Sequence, residues 1–301
     1  MSLLDRLPAV RGKYREDADL SKICWFGTGG PAEVLFIPHD TEDLQFFLRN
    51  KPNDIPIFVL GVGSNVLIRD RGIDGVVIRL GRGFNRVELI AEMPHCILAG
   101  ASALDVNLSM FAMQHRIGGF EFLSSIPGTV GGALAVNAGA YGGDIQLLLV
   151  QATTVGVTGE IKTFIPYEIG YHYRGKEIDS NWIFTEALFA GYIDEVANIL
   201  HKVESIQADR ERTQPIRSRT GGSTFKNPNG PQKAWELIDQ AGCRGLCVGG
   251  AKISELHCNF LVNNGSATSK DLEDIIYIVR DRVYSKFSIF LEPEIIIVGN
   301  K

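Results

Sequence analysis

No run of 18 apolar residues occurs in the 301-residue chain, so no helix that crosses a bilayer unaided is expected. Positive charge is not in surplus either. Lys and Arg number 30 against 35 Asp and Glu, a formal net charge of −5, which argues against a nucleic-acid surface but not against a local basic pocket for an anionic small molecule. Cysteine is sparse and odd in number: Cys24, Cys96, Cys243, Cys247 and Cys258 match no zinc spacing and no disulfide framework. Buried thiols in a reducing compartment are expected. The first residues, MSLLDRLPAVRGKYRED, lack the apolar core of a signal peptide. These absences together predict a cytoplasmic protein with no nucleic-acid partner and no membrane insertion.

Charge is also missing locally. Ser124 to Asp144 reads SSIPGTVGGALAVNAGAYGGD, dense in Gly and Ala, with Asp144 its one charge. Such a stretch suits close approach of backbone to a ligand, and Pro127-Gly128, Gly131-Gly132 and Gly142-Gly143 mark turns. One reading is a loop whose bare N–H groups cradle phosphate. The other is a glycine-rich turn between two buried strands. Gly61-Val62-Gly63-Ser64-Asn65 follows a short apolar strand, Ile57 to Leu60, but has neither the third glycine nor the helix of a dinucleotide fingerprint. A strand-to-strand turn with amides facing a ligand fits it better.

Along the chain, residues 1–22 are charged and weakly patterned. Strands are predicted over 32–37, 57–60, 66–69 and 76–80, and a capped helix begins at Thr41. A hairpin is predicted over 86–99 and a helix over 103–116, closed by Gly118-Gly119. Strands follow over 147–157, 161–165 and 182–190. A helix over 194–211 carries Val196, Ile199, Leu200, Val203 and Ile206 on one stripe. Residues 213–231 are polar and loop-like, which sets a boundary near Ala208. Helices over 232–241 and 269–287 and strands over 260–262 and 294–298 complete an α+β pattern.

Chemistry has three further candidate places. Tyr171 to Lys176 offers Arg174, whose planar fork suits a carboxylate, or a solvated basic turn. Gly221 to Pro228 places Ser223, Lys226 and Asn227 in a loop, without the G-x-S-x-G of a nucleophile elbow. Leu291 to Ile295 puts Glu292 and Glu294 on one face of a strand start. Glu255-Leu256-His257-Cys258 has too few ligands at no metal spacing, so no metal site is expected.

Taken in order, Gly29-Gly30-Pro31-Ala32, Gly61 to Asn65, Ile126 to Gly132, Asn137 to Gly142, Tyr173-Arg174, Gly222 to Pro228, Glu255-x-His257-x-Asn259-Phe260 and Leu291 to Glu294 resemble the UDP-N-acetylenolpyruvoylglucosamine reductase family from about residue 20 to the end. The resemblance implies an α+β fold: a two-lobed FAD-binding domain of the vanillyl-alcohol-oxidase (PCMH) type over 23–207, with lobes of about 23–82 and 83–207, then a smaller α+β substrate-binding domain over 208–301. Residues 1–22 would precede it. It implies FAD and NADPH as cofactors and reduction of UDP-N-acetylglucosamine-enolpyruvate to UDP-N-acetylmuramate, with hydride passing from flavin N5 to C3 and a proton from Ser223 to C2. Arg174, Ser223 and Glu294 would be catalytic, with Glu294 a neutral donor toward an enolate oxygen. Tyr173, Lys226 and Asn227 would bind substrate. Gly61, Gly63, Ser64, Asn65, Ser125, Pro127, Gly128, Gly131, Gly132, Asn137, Gly139, Ala140 and Tyr141 would contact FAD.

Two positions depart from the family's pattern: Gly27, where a basic residue is common, and Lys176, where a small hydroxyl residue is common. Only seven residues separate Arg174 from Trp182, which resembles the shorter subtype without the Tyr-bearing loop insertion. A monomer is expected. The alternatives are another flavin oxidoreductase of the same fold, or a flavin- or nucleotide-binding module without catalysis.

Overall fold

The computed structural model describes residues 2–301. They form two compact units that interleave in sequence: the first holds residues up to 16, 34–61 and 75–209, the second 17–33, 62–74 and 210–301. No helix among the described residues is long and apolar enough to cross a membrane.

The first unit has two cores. In one, Ile57–Val59 pairs in parallel with Val76–Ile78, and helix α1 (Thr41–Asn50) covers them. Asp40 caps α1 by accepting from the Asp43 amide at 2.9 Å. Leu44, Phe47 and Leu48 then fall on one face against Val34, Phe36, Val76 and Ile78. Phe36 and Phe47 stack at 4.5 Å, with Tyr14 beside them. The other core lies on a five-stranded antiparallel sheet, ordered 161–164, 149–155, 183–190, 96–100, 87–89. Helices α2 (Asp105–Gln114) and α3 (Val130–Val136) and the one-turn helices α4 (Ile145–Leu148) and α5 (Pro166–Ile169) close over it. Helix α6 (Val196–Thr213) leaves this unit. Its apolar stripe is less buried than its periodicity predicts. Ile199 is buried, but Val196 and Leu200 are exposed.

The second unit is built on an antiparallel sheet ordered 219–223, 260–263, 251–253, 247–248, with helices α7 (Ala234–Gln240) and α8 (Ser269–Phe287). Val66–Ile68 pairs in parallel with Ile296–Val298 and packs under α8. Thr268 and Asp271 form a reciprocal capping box at the start of α8. The Asp70 carboxylate accepts from the Ser269 and Lys270 amides at 2.9 and 3.0 Å, placing negative charge on the positive helix end. Leu272, Ile275, Ile276, Val279 and Val283 then form the buried stripe.

Three stretches differ from the sequence reading. Residues 13–19 form a strand despite their charge, because all but Tyr14 and Ala18 keep their side chains exposed while the backbone supplies the pairing. Residues 219–223 form a strand inside a segment that composition reads as loop. The glycine-rich stretch holds α3, whose Val130, Ala133 and Leu134 make an i, i+3, i+4 face hidden by the two glycines between them. Of the cysteines, Cys247 is exposed rather than buried.

Candidate active site

The first unit gathers most of the glycine-rich residues. Thr129 caps α3, its Oγ1 accepting from Gly132 N–H at 3.4 Å. Gly61, at the end of its strand, lies directly against this cap. A Cβ there would sit 2.9 Å from Thr129 Oγ1. The amides are less bare than the sequence suggests: Gly128 donates to Ile126 O at 2.9 Å, Val130 to Ala103 O at 2.9 Å and Gly131 to Ala101 O at 2.8 Å. Gly131 is glycine because a Cβ would meet the Ala101 methyl at 2.9 Å and its carbonyl at 3.0 Å. Gly132 is different. It is exposed, and a Cβ would meet nothing nearer than Thr129 Oγ1 at 3.4 Å. The Ser125 hydroxyl bonds back to Phe122 O at 2.7 Å, and Pro127, two residues on, is half-buried.

Beyond α3 the chain turns back on itself. Asn137 ends the helix in the left-handed region at φ 47°. Its side chain donates to His172 O at 3.1 Å and accepts from Gln146 N–H at 3.1 Å. Gly139 and Ala140 pair with Asp144 and Gly143. The two residues between, Tyr141 (φ 51°) and Gly142 (φ 83°), are both left-handed, the signature of a type I′ hairpin. Tyr141 donates its hydroxyl to Asp209 at 3.0 Å. A second tight turn meets this hairpin. His172 and Gly175 exchange backbone bonds at 3.0 and 3.2 Å, which leaves Tyr173 and Arg174 at the tip. Arg174 donates to Gly139 O at 2.5 Å and lies 5.2 Å from the Tyr173 ring. Lys176 gives its ammonium to Ile178 O at 2.7 Å, and burial lowers its pKa.

One buried group here escaped the sequence reading. Asp105, in the first turn of α2, is fully buried and neither carboxyl oxygen has a partner. A Cβ on Gly128 would sit 2.6 Å from its Oδ2. Burial alone raises its pKa well above that of an exposed carboxylate, which favours the protonated form. A lone acid at a helix start reads in sequence as an exposed capping residue, and nothing local signals its burial.

The second unit holds the remaining candidates. Gly63 (φ 69°) is packed against backbone, for a Cβ would lie 2.8 Å from Ile23 O. Ser64 is half-buried beside it, and the next residue, Asn65, donates its side-chain N–H to Glu294 O at 3.2 Å. Ser223 is the last residue of its strand and pairs with Phe260 after a break in register. The chain then runs antiparallel to 292–294. Lys226 N–H donates to Glu292 O at 2.9 Å and Glu294 N–H to Thr224 O at 2.9 Å, with Phe225 bridged to Pro293. Ser223 and Glu294 are therefore on neighbouring extended segments. Lys226 Nζ pairs with Glu292 at 2.6 Å, and Asn227 Oδ1 accepts from Ala234 N–H at 3.0 Å at the start of α7. Gly221 is glycine because a Cβ would lie 2.5 Å from the ring of Phe26. Gly27 (φ 68°) leaves room for the Arg219 side chain, 3.1 Å from where its Cβ would be.

These features fit a flavin-binding chain on structural grounds. The open face at Gly132 and the open space at Gly142, beside the close packing of Gly61 on the α3 cap, leave backbone accessible to a large ligand. Known proteins agree. Residues 32–164 match an FAD binding domain, and residues 214–298 match the UDP-N-acetylenolpyruvoylglucosamine reductase C-terminal domain. A UDP-N-acetylenolpyruvoylglucosamine reductase of Parvibaculum lavamentivorans is 49% identical over 298 residues, covering 99% of this chain and 95% of the relative. One from Rhodospirillum rubrum is 48% identical over 301 residues, covering 99% and 93%. The crystal structure of the reductase from Thermus caldophilus superposes with a TM-score of 0.82 at 32% identity, covering 97% of this chain and all of that one. The chain belongs to the UDP-N-acetylenolpyruvoylglucosamine reductases, FAD-dependent oxidoreductases of peptidoglycan precursor synthesis.

Proposed function

We propose that the protein uses NADPH to reduce the enolpyruvyl group of UDP-N-acetylglucosamine-enolpyruvate, giving UDP-N-acetylmuramate, in the cytoplasm and as a monomer. The observation that supports the reading is the antiparallel clasp of Thr224–Lys226 on Glu292–Glu294, with Ser223 immediately before the clasp and Glu294 within it. When bound, FAD accepts hydride from NADPH and supplies it from N5 to C3 of the enolpyruvyl double bond. Gly61, Ser125, Pro127, Gly128, Gly131, Gly132, Asn137, Gly139, Ala140 and Tyr141 would hold it, and the family resemblance adds Gly63, Ser64 and Asn65.

The chain's own residues handle the charge and the proton. Hydride arrival at C3 leaves an electron pair at C2, delocalised onto the substrate carboxylate. Arg174 supplies a fork of donors for that carboxylate, and its left-handed backbone at the tip of a two-residue turn holds the guanidinium against Gly139. Ser223 gives its proton to C2 and recovers one from solvent, so one hydride and one proton are added across the double bond. A hydroxyl is a weak acid, but a carbanion is basic enough to take its proton, and a positioned transfer of this kind contributes ~10²–10⁴-fold. Glu294, protonated, donates to the enolate oxygen. Lys226, Asn227 and Tyr173 orient the UDP-sugar.

Stopped-flow absorbance separates the two half-reactions. Ser223→Ala is expected to leave flavin reduction by NADPH near wild type and to slow reoxidation by the enolpyruvyl sugar by ~10²-fold or more. Two unaffected half-reactions would remove Ser223 as proton donor. Glu294→Gln should retain more turnover than Glu294→Ala, because an amide still donates. Equal losses would count against a neutral donor.

A further inference from the structure

We propose that Asn259 is a positioning residue for Ser223, its side-chain amide clamping the backbone of Phe225 so that the serine hydroxyl is aimed from a fixed loop. The proposal rests on the reading of Ser223 as the proton donor. Asn259 lies outside the assigned site, touches no reacting group and is 5% exposed.

The strand that carries Ser223 loses its regular ladder just before the residue that matters. Thr220 pairs with Val262, the register slips, and Ser223 meets Phe260. Gly222 within the slip has φ 79° and nothing within 4 Å of where a Cβ would be, so packing does not fix it. From Thr224 onward, Asn259 takes over. Its carbonyl accepts from Thr224 N–H at 2.7 Å. Its Oδ1 accepts from Phe225 N–H at 3.0 Å, and its Nδ2 donates to Phe225 O at 2.8 Å. One residue thus satisfies three backbone groups of two adjacent residues, two of them through a planar amide whose acceptor and donor meet the N–H and C=O of Phe225. These bonds are buried, where a lost partner is most disruptive.

Asn259 is itself held. Its N–H donates to His257 Nδ1 at 3.2 Å, which requires the tautomer with the proton on Nε2. The His257 ring is fixed edge-on to Phe260 at 4.8 Å and to Trp235 at 6.3 Å. This accounts for the spacing His257-x-Asn259-Phe260: the histidine seats the asparagine, the asparagine seats the loop, and Phe260 pairs with Ser223.

Asn259→Asp tests the clamp with one atom changed. The Phe225 N–H keeps its acceptor, but an oxygen now faces the Phe225 carbonyl at the place where the N–H donated. Anaerobic stopped flow is expected to show NADPH reduction of the flavin within twofold of wild type and reoxidation by the enolpyruvyl sugar slowed ~10–100-fold, the scale on which misplacement acts. Added to Ser223→Ala, Asn259→Asp should slow reoxidation no further, because its effect passes through the hydroxyl. Asn259→Ala, which removes both bonds without adding a charge, should show the same split more weakly. Equal slowing of both half-reactions, full additivity with Ser223→Ala, or loss of flavin in both Asn259 variants would overturn the proposal. If Ser223→Ala alone leaves reoxidation unchanged, it is the donor assignment that fails.

Discussion

Replacing Asp105 by Asn should make the first unit more stable, by an amount that grows with pH. The wild-type carboxyl is fully buried, has no partner on either oxygen, and has its pKa raised by burial. In the unfolded chain it titrates near pH ~3.9. Above that pH the folded form carries a proton that the unfolded form has released, so stability falls as pH rises until the folded group itself ionises. The slope is at most ~1.4 kcal/mol per pH unit. Asn fills the same volume, also lacks partners, and has no proton to lose. Near pH 4 the two proteins should therefore be about equal. By pH 7 the variant should lead by at most ~4 kcal/mol, three such units. Urea unfolding between pH 4 and 8 gives the comparison. Trp182 is a local reporter, since its ring packs edge-on to Phe164 at 5.2 Å in the same core. A gap that stays constant or narrows as pH rises would refute the raised pKa.

Two glycines of α3 should separate packing from ligand approach. Gly131→Ala meets Ala101 and is expected to lose ~1–3 kcal/mol of stability together with FAD affinity. Gly132→Ala is open on that side, so it should keep or gain ~1 kcal/mol from helix propensity while binding FAD at least ~10-fold more weakly in a fluorescence titration of apoprotein. Unchanged affinity in the latter would remove Gly132 from the cofactor's face. Glu273→Gln breaks the two-point pair with Arg69, at 2.8 and 2.9 Å and 11% exposed on the carboxylate side. Its pKa is lowered chiefly by the Arg69 hydrogen bond, so the pair's stability is present above pH ~4.3 and is lost as pH falls through the depressed folded value. The variant should be ~2 kcal/mol less stable at pH 7, with the difference shrinking as pH falls below ~4.3 in chemical denaturation. A difference that does not shrink on acidification would assign the loss to packing.

Elements with long local signals were legible in the sequence. Helix α8 shows its capping box and its apolar stripe within one window, and its predicted bounds, 269–287, match those observed. Helix α1 likewise declares itself through its cap and the Leu44, Phe47, Leu48 face. The family resemblance named the cofactor and reaction class, which composition alone left open between a phosphate cradle and a turn. Other features depend on distant partners. Ile296 pairs with Val66, 230 positions earlier, and no local pattern encodes that choice. Helix α3 was hidden because glycine carries no apolar signal, although Thr129 caps it and Asn137 ends it. The side chain of Asn259 shows the limit most clearly. The motif that contains it was visible, but its purpose depends on a backbone segment 34 residues away.

The central claim is tested most directly by reducing the protein-bound flavin with NADPH under anaerobic conditions and then adding UDP-N-acetylglucosamine-enolpyruvate. Flavin absorbance is expected to return within one turnover as an equal amount of UDP-N-acetylmuramate forms. Flavin that stays reduced in the presence of that sugar would contradict it.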